Sequence, residues 1–450
     1  MYRVAGRFLC FVFAAALWVT GAQGVYAAGV EILSPAAGSE VNGEVELVAR
    51  VVPPRSVRLD RVVMQTADGE AVRMAPRFAD TYSAVLDTTR LRNGRQAVVV
   101  TASAVGLNES SLHPNTAGSW GGEVRAWQAE VPVVVHNEYQ HYWGDLHAHT
   151  SYSDGCRLPA EAYAYARDRA RLDFFAVTDH SELLTLEEYA ETIARAEEIN
   201  VPGQFVALYG VESTYVTGHM NVYMSTTPYL PWALDDRYSA IGGRGLLGHF
   251  NHPRRTSPAD QGGGDDFEGF HYAPAADESM ALVEVRNPEE EAAYIALLEA
   301  GWHVGAAGCQ DQHEATWGTG GSTWTVALAR ELTRESILEA LRARRTYSAG
   351  DRNLRLTFTV DGEDVGARIA RPTGTLSCLV TVSDPEASDV IDRIELFVDG
   401  RVVETVRPAL TRYAWAVTLE LSPGEHYCFV RVAQAGEKTS WSSPVWVSAY

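Results

Sequence analysis

A βα barrel held between two small β-sandwiches is the architecture this sequence predicts, on three patterns. Period-two alternation in short runs fills residues 29–138 and returns over residues 354–450. Between them, over residues 142–352, apolar strand-like runs alternate with helical stretches. Metal-type side chains recur at the ends of those runs, which is how a barrel enzyme gathers ligands at one mouth.

The first module reads as strands at Val30–Leu33, Val45–Val52, Ser83–Leu86 and Gln96–Ala102. Gly, Pro, Asn and Asp punctuate them, as in an immunoglobulin-like sandwich. A polar loop is expected over Leu107–Glu123 and a closing strand over Trp127–His136. In the second module, strands are predicted at Phe174–Val177, Phe205–Tyr209, Leu246–Phe250, Leu282–Val285 and His303–Ala307. Helices are predicted at Pro159–Arg171, Leu186–Asn200, Glu289–Ala300 and Arg334–Arg344, with Pro228–Ala276 a long loop over the mouth. Strand, helix, strand in repetition implies parallel strands with helical crossovers.

The last module, a second immunoglobulin-like sandwich, alternates through Arg355–Val360, Leu376–Val382, Arg393–Val398, Tyr413–Leu421 and His426–Val432. Its two Val-Asp-Gly triplets, Val360–Gly362 and Val398–Gly400, predict tight hairpins.

Composition excludes several chemistries. A net charge of −21 argues against nucleic acid or an anionic membrane as partner. Lys438 is the only lysine, which removes Schiff-base chemistry and a P-loop. No Gly-x-Ser-x-Gly is present. Arg3 and Arg7 before an apolar run, Phe8–Ala22, read as a signal peptide over residues 1–27, so the chain is expected to be exported, periplasmic or extracellular. No later segment is long and apolar enough to span a membrane. Cleavage would leave four cysteines. Cys378 and Cys428 are expected to pair; Cys156 and Cys309 read as a second disulfide or as two thiols.

The chemistry resides in nine side chains: His147, His149, Asp154, His180, Glu212, His219, His252, Asp311 and His313. His147 and His149 are two apart, so on a strand both imidazoles share a face. Asp179–His180, Glu212, His219, His252 and Asp311–His313 follow at later strand ends. Singly, each has a bland reading: a core histidine, a turn residue at Asp154, a helix N-cap at Asp179. Those readings must all hold together to dismiss the set. His249 is an alternative to His252, which its following proline favours.

The ordered blocks His-x-His, Asp-His, Glu with a following Gly-His, His-Pro and Asp-x-His resemble the polymerase and histidinol phosphatase (PHP) domain. They cover roughly 210 residues. The run Arg344–Asp351 leading into a β-module resembles a secreted subgroup that includes carbaryl (carbamate) hydrolases. The resemblance implies a distorted (βα)7 barrel with two or three divalent metals, zinc, manganese or iron. It implies that His147, His149, Glu212 and Asp311 bind one ion and that Glu212 bridges to a second with His219 and His252. Asp154, His180 and His313 would hold a third, with Asp154 standing where some relatives have His.

The sequence thus predicts a hydrolase using a metal-bridging hydroxide. A phosphomonoester or phosphodiester substrate leads, a carboxylic ester, amide or carbamate follows, and a non-catalytic glycan-binding scaffold is the alternative from another class. Asp179 is expected to orient a ligand imidazole. Arg254 is expected to grip the substrate, with Arg255 beside it and Arg157 and Arg286 as weaker candidates for that role. Trp317 and Trp324 either wall a pocket or pack the last helix.

Overall fold

The computed structural model describes residues 29–106, 124–254 and 266–450, apart from 55, 56, 67, 68, 70, 79, 89 and 90. The expected signal peptide, the Leu107–Glu123 loop, Arg255 and most of the acidic stretch before Asp266 lie outside the described residues. The chain divides into two compact units, one built from residues up to 134 and the other containing residues 135–450.

The first unit has a four-stranded sheet, ordered Gly29–Ser34, Glu44–Val52, Thr81–Asp87, Ala75–Pro76. Its five-stranded sheet runs Glu40–Val41, Val124–Val135, Gly94–Gly106, Val57–Gln65, Ala71–Arg73. Alternate residues Leu47, Ala49 and Val51 are buried from one sheet, and Val98, Val100, Ala102, Val131 and Val133 from the other. That period-two pattern is what the sequence shows. The strand Val57–Gln65 breaks it with Arg58, Asp60 and Arg61, and so escapes sequence reading.

The second unit is organised by one long curled sheet. From one edge it runs Gly305–Ala307, Met280–Glu284, Leu247–Phe250, Gly218–Tyr223, Val206–Tyr215, Phe174–Val177, Gln140–Asp145, Trp324–Ala329 and Thr346–Ala349. Seven of these nine strands point the same way. Gly218–Tyr223 and Trp324–Ala329 run against their neighbours. The strict βα alternation of a seven-unit barrel is therefore not what the pairing gives. A hairpin replaces one helical crossover, because only Val216 and Thr217 separate Tyr215 from Gly218. The sheet curls until the edge strand Gly305–Ala307 comes round to Gln140–Asp145: just past them, Ala148 bridges Gln312 in parallel, and the His149 amide donates to the Gln312 carbonyl at 3.0 Å.

Helices pack on this sheet where the sequence supplies caps. Thr185 and Glu188 form a reciprocal capping box at the start of Leu186–Ile199. Asn287 caps Pro288–Ala300 with Pro at the first turn, and Gly301 ends it at φ +106°. The expected loop Pro228–Ala276 contains a helix, Leu234–Gly243, as well as the predicted strand. Its Gly, Asp and Arg content hid the helix, which rests on the tertiary burial of Leu234, Tyr238 and Ile241.

The C-terminal strands do not stand apart. Thr439–Ser442 pairs with Thr346–Ala349, so the sheet continues into Gly424–Gln434, Ile391–Val398 and Arg401–Val406. Arg355–Val360, Thr375–Ser383 and Arg412–Glu420 form the core of a second sheet facing it, with Phe358, Val380, Ile394, Val430 and Val445 in one apolar cluster. Both Val-Asp-Gly hairpins form with two-residue turns: Asp361 and Gly362 at φ +50° and +82°, Asp399 and Gly400 at +48° and +71°. The expected Cys378–Cys428 disulfide is absent. Cys378 and Cys428 are buried free thiols on the two opposing sheets. Cys156 is exposed whereas Cys309 is buried, so those two point into different surroundings.

Gly144 sits where the strands Gln140–Asp145 and Phe174–Val177 touch: a Cβ there would lie 2.3 Å from the Phe174 ring. Gly144→Ala should therefore cost about 1–3 kcal/mol, read as a lowered denaturant midpoint. An unchanged midpoint would mean that Phe174 swings aside freely.

Candidate metal centre

Every proposed ligand lies at one end of the curled sheet, and strand direction explains why. The parallel strands deliver residues at or just past their C-terminal ends: His147 and His149 after Gln140–Asp145, His180 after Phe174–Val177, His252 after Leu247–Phe250, Asp311 and His313 after Gly305–Ala307. Glu212 comes from within the longer strand Val206–Tyr215. His219 belongs to the reversed strand, so it reaches the same end from that strand's start, paired with Thr214. All nine predicted donors converge there.

Glu212 is the hub. Its Oε1 lies 3.2 Å from His147 Nε2, 3.2 Å from His219 Nδ1 and 3.4 Å from His252 Nε2. Its Oε2 lies 3.4 Å from His149 Nε2 and 3.0 Å from His180 Nδ1. Burial alone would raise this carboxyl, but the surrounding imidazoles, His147 foremost, hold it well below the usual range. Asp311 Oδ1 lies 3.3 Å from His147 Nε2 and 3.2 Å from His149 Nε2. Asp154 Oδ1 lies 3.2 Å from His313, 3.4 Å from His180 and 3.8 Å from His149. Three groups result with ligand atoms close enough for one ion each: His147, Glu212 and His252; His147, His149 and Asp311; His149, Asp154, His180 and His313. Exposure rises from 0% at His147 and His149 to 51% at Asp154, so the third group faces solvent. Imidazole and carboxylate at these spacings suit a divalent zinc-, manganese- or iron-type ion.

The surroundings fix these side chains in place. Glu284, which sequence reading missed, is fully buried; it accepts from His147 Nδ1 at 2.7 Å and from the His252 amide at 2.8 Å. It orients one imidazole and the turn carrying another. Asn251 Nδ2 donates to Glu212 Oε1 at 2.8 Å. His252 and Asp311 hold positive φ, +29° and +50°, a strained backbone for non-glycine residues that cooperating contacts must maintain. The only nearby signal for Glu284 was its place at a strand end, without a neighbouring histidine.

The remaining predicted residues divide. Asp179, expected to orient an imidazole, instead accepts from the Thr150 amide at 2.7 Å and from the Thr150 and Ser153 hydroxyls at 2.6 and 2.5 Å. No helix starts at Asp179, so the N-cap reading fails too. Asp179 anchors the loop that presents Asp154, and Gly155 lets that loop fold back, since a Cβ would lie 2.7 Å from the His149 carbonyl. Arg254 is exposed two residues beyond His252. Arg286, a candidate phosphate grip, is committed to Glu290 at 2.8 Å and Glu284 at 3.3 Å. Arg157 is exposed with Glu161 at 3.6 Å. His249 is buried away from the nine, its Nδ1 2.7 Å from the Tyr223 hydroxyl, and burial pushes its pKa down to about 3. Trp317 and Trp324 pack rather than wall a pocket: their indoles donate to His149 O and Gly318 O, each at 3.0 Å. Arg237 was not foreseen. It is buried below the hairpin turn, donating to Thr217 Oγ1 at 2.8 Å and lying 4.1 Å over the Tyr215 ring. Its Nε and Nη1 have no hydrogen-bond partner among the described residues.

No family model matches the chain. A curated, uncharacterised protein of Chlamydia pneumoniae is 27% identical over 139 residues, covering 27% of this chain and 22% of that protein. Another, from Chlamydia muridarum, is 22% identical over 368 residues, covering 68% and 57%. The chain thus spans less than two thirds of these relatives' lengths. Among solved structures, it is similar to a two-domain protein from Bacteroides vulgatus containing a predicted PHP-like metal-dependent phosphoesterase. The TM-score is 0.40 at 18% identity, over 69% of this chain and 96% of that one.

Two variants test the supports. Asp179→Ala strands the buried Thr150 amide at a cost of about 1–3 kcal/mol, and should lower bound metal by the ion of the Asp154 group while the Glu212 groups stay filled. Full stoichiometry by elemental analysis would make Asp179 a purely local brace. Glu284→Gln should weaken metal retention about 10- to 100-fold in chelator competition; unchanged retention would reduce Glu284 to a counter-charge for Arg286.

Proposed function

We propose that this chain is an exported, multinuclear metal-dependent hydrolase. The observation that carries the reading is Glu212: one buried carboxylate within 3.4 Å of five imidazoles. A protein gains nothing in stability from crowding so many titratable groups around one anion unless cations share them. Bound there, divalent ions would supply a hydroxide nucleophile near neutral pH and stabilise developing negative charge.

The chain's own residues would do the rest. Glu212 stays ionised between the two rows of imidazoles. Glu284 holds His147 in one ring orientation, and Asp179 holds the loop that brings Asp154 over the outer group. Phosphoesters are the substrate class this reading places first. Arg237, with two unpartnered nitrogens beside the Glu212–His219 hairpin, and exposed Arg254 just past His252 suit an anionic group. A carboxylic ester, amide or carbamate is the second reading. It draws on the apolar side chains exposed around the same hairpin: Leu183 at 56%, Val216 at 80% and Trp232 at 76%. Export rests on the amino-terminal segment alone. Among the described residues, no helix is long and apolar enough to cross a membrane.

The test is metal content of the purified protein together with turnover of phosphoester and carboxyl ester or carbamate panels, before and after chelation. Two or three ions with chelator-sensitive phosphoester turnover is the expected result. Turnover confined to carboxyl or carbamate substrates would select the second reading. Little metal and no turnover across a reconstitution series would leave a binding scaffold.

A further inference from the structure

One step down the strands from the nine donors, the interior of the curled sheet holds a second donor group, of which the hydrolase reading uses Glu284 alone. His249, Glu284 and Cys309 each place one ligand atom within 4.8 Å of the others, and all three residues are fully buried. They come from neighbouring parallel segments: His249 within Leu247–Phe250, Glu284 ending Met280–Glu284, and Cys309 just past Gly305–Ala307.

The hydrogen bonding around His249 suits the tautomer that a metal ligand needs. The Tyr223 hydroxyl donates its single proton to Leu146 O at 2.9 Å, so it accepts from His249 Nδ1 at 2.7 Å. The proton is then on Nδ1, and Nε2 carries an open lone pair. That Nε2 is buried and has no hydrogen-bond partner among the described residues. An imidazole with one nitrogen donating to an oxygen and the other bare is the arrangement of a metal-ligating histidine. Asp145 Oδ2 is likewise buried without a partner among the described residues.

We propose that His249 Nε2, Cys309 Sγ and Glu284 form an inner site for one divalent ion of zinc type. Nitrogen, sulfur and oxygen donors together suit a borderline-soft ion. Tetrahedral ligands around zinc stand about 3.3–3.8 Å apart, given bond lengths of about 2.0–2.3 Å, so closing on an ion requires shifts of about 1 Å. Binding replaces the thiol proton, which leaves to solvent, with the metal–sulfur bond. Glu284 then has the inner ion on one side and His147 on the other, which links this ion to the orientation of a ligand above it. The proposal stands independently of what the nine-donor centre hydrolyses.

Cobalt substitution separates the two centres, because none of the nine upper donors is sulfur. Only a cysteine ligand gives a thiolate-to-cobalt charge-transfer band in the near ultraviolet. The full chain, reduced and loaded with Co2+, is compared as Cys156→Ser, which removes the exposed thiol beside the outer group, and as Cys156→Ser with Cys309→Ser. The band should be present in the first and lost in the second, with one fewer cobalt bound per chain. If the double variant does not fold, His249→Gln in the Cys156→Ser background serves, and should lose the band. A fully loaded Cys156→Ser protein without the band, or a band that survives Cys309→Ser, overturns the proposal and gives those buried atoms to water.

Discussion

The charge of Glu212 is the constraint on which the second unit depends. A carboxylate with 1% exposure must be compensated where it sits, and five imidazoles from four separate stretches of chain do so. Each of those stretches must therefore end at the same height. The curled sheet meets this by pointing seven strands one way, and the reversed strand that carries a donor enters where a two-residue turn returns the chain to the ligand end. His219 is the product of that turn. Had a helix crossed over instead, its strand would have begun at the far end.

Strain and polarity accumulate around this charge. Positive φ at His252 and Asp311 is held by local contacts, in the first case by the Glu284 carboxylate on the His252 amide. Burial raises the Asp145 carboxyl to about 7, and Asn221 Oδ1 is buried without a partner among the described residues. A core designed only for stability would replace these groups with apolar ones. Their presence marks a fold in which packing has yielded to ligand geometry.

Much of this was legible in the sequence, for physical reasons. Ligands at strand ends are spaced by the fold itself, so order and spacing along the chain carry the cluster even though each residue alone is ambiguous. The Val-Asp-Gly turns were legible because positive φ at two successive positions restricts residue choice. What was not legible depends on partners distant in sequence. Glu284 is one acidic residue at a strand end until His147, 137 residues away, is brought to it. Arg286 looked free because Glu290, one helical turn on, reads as an ordinary first-turn acid. Trp324–Ala329 and Thr346–Ala349 are buried throughout, so no alternation marks them. The helix Leu234–Gly243 was hidden by its glycines and charges.

The continuity of the sheet through Thr346–Ala349 and Thr439–Ser442 bears on the order of assembly. All nine donors have been synthesised by His313, yet the sheet that carries them keeps an open edge until the chain has reached Ser442. Such an edge, with unpaired amides and carbonyls, can pair wrongly with another chain. It closes only through contacts that span almost a hundred residues, which are slow to form. The helix Pro288–Ala300 waits on the same strands: its Glu291 receives Arg431 at 2.6 Å, and its Tyr294 donates to Ser442 O at 3.2 Å. The C-terminal strands thus act as a late clasp on the metal-bearing sheet. A nascent chain would hold a full set of ligands well before it held the frame that aligns them.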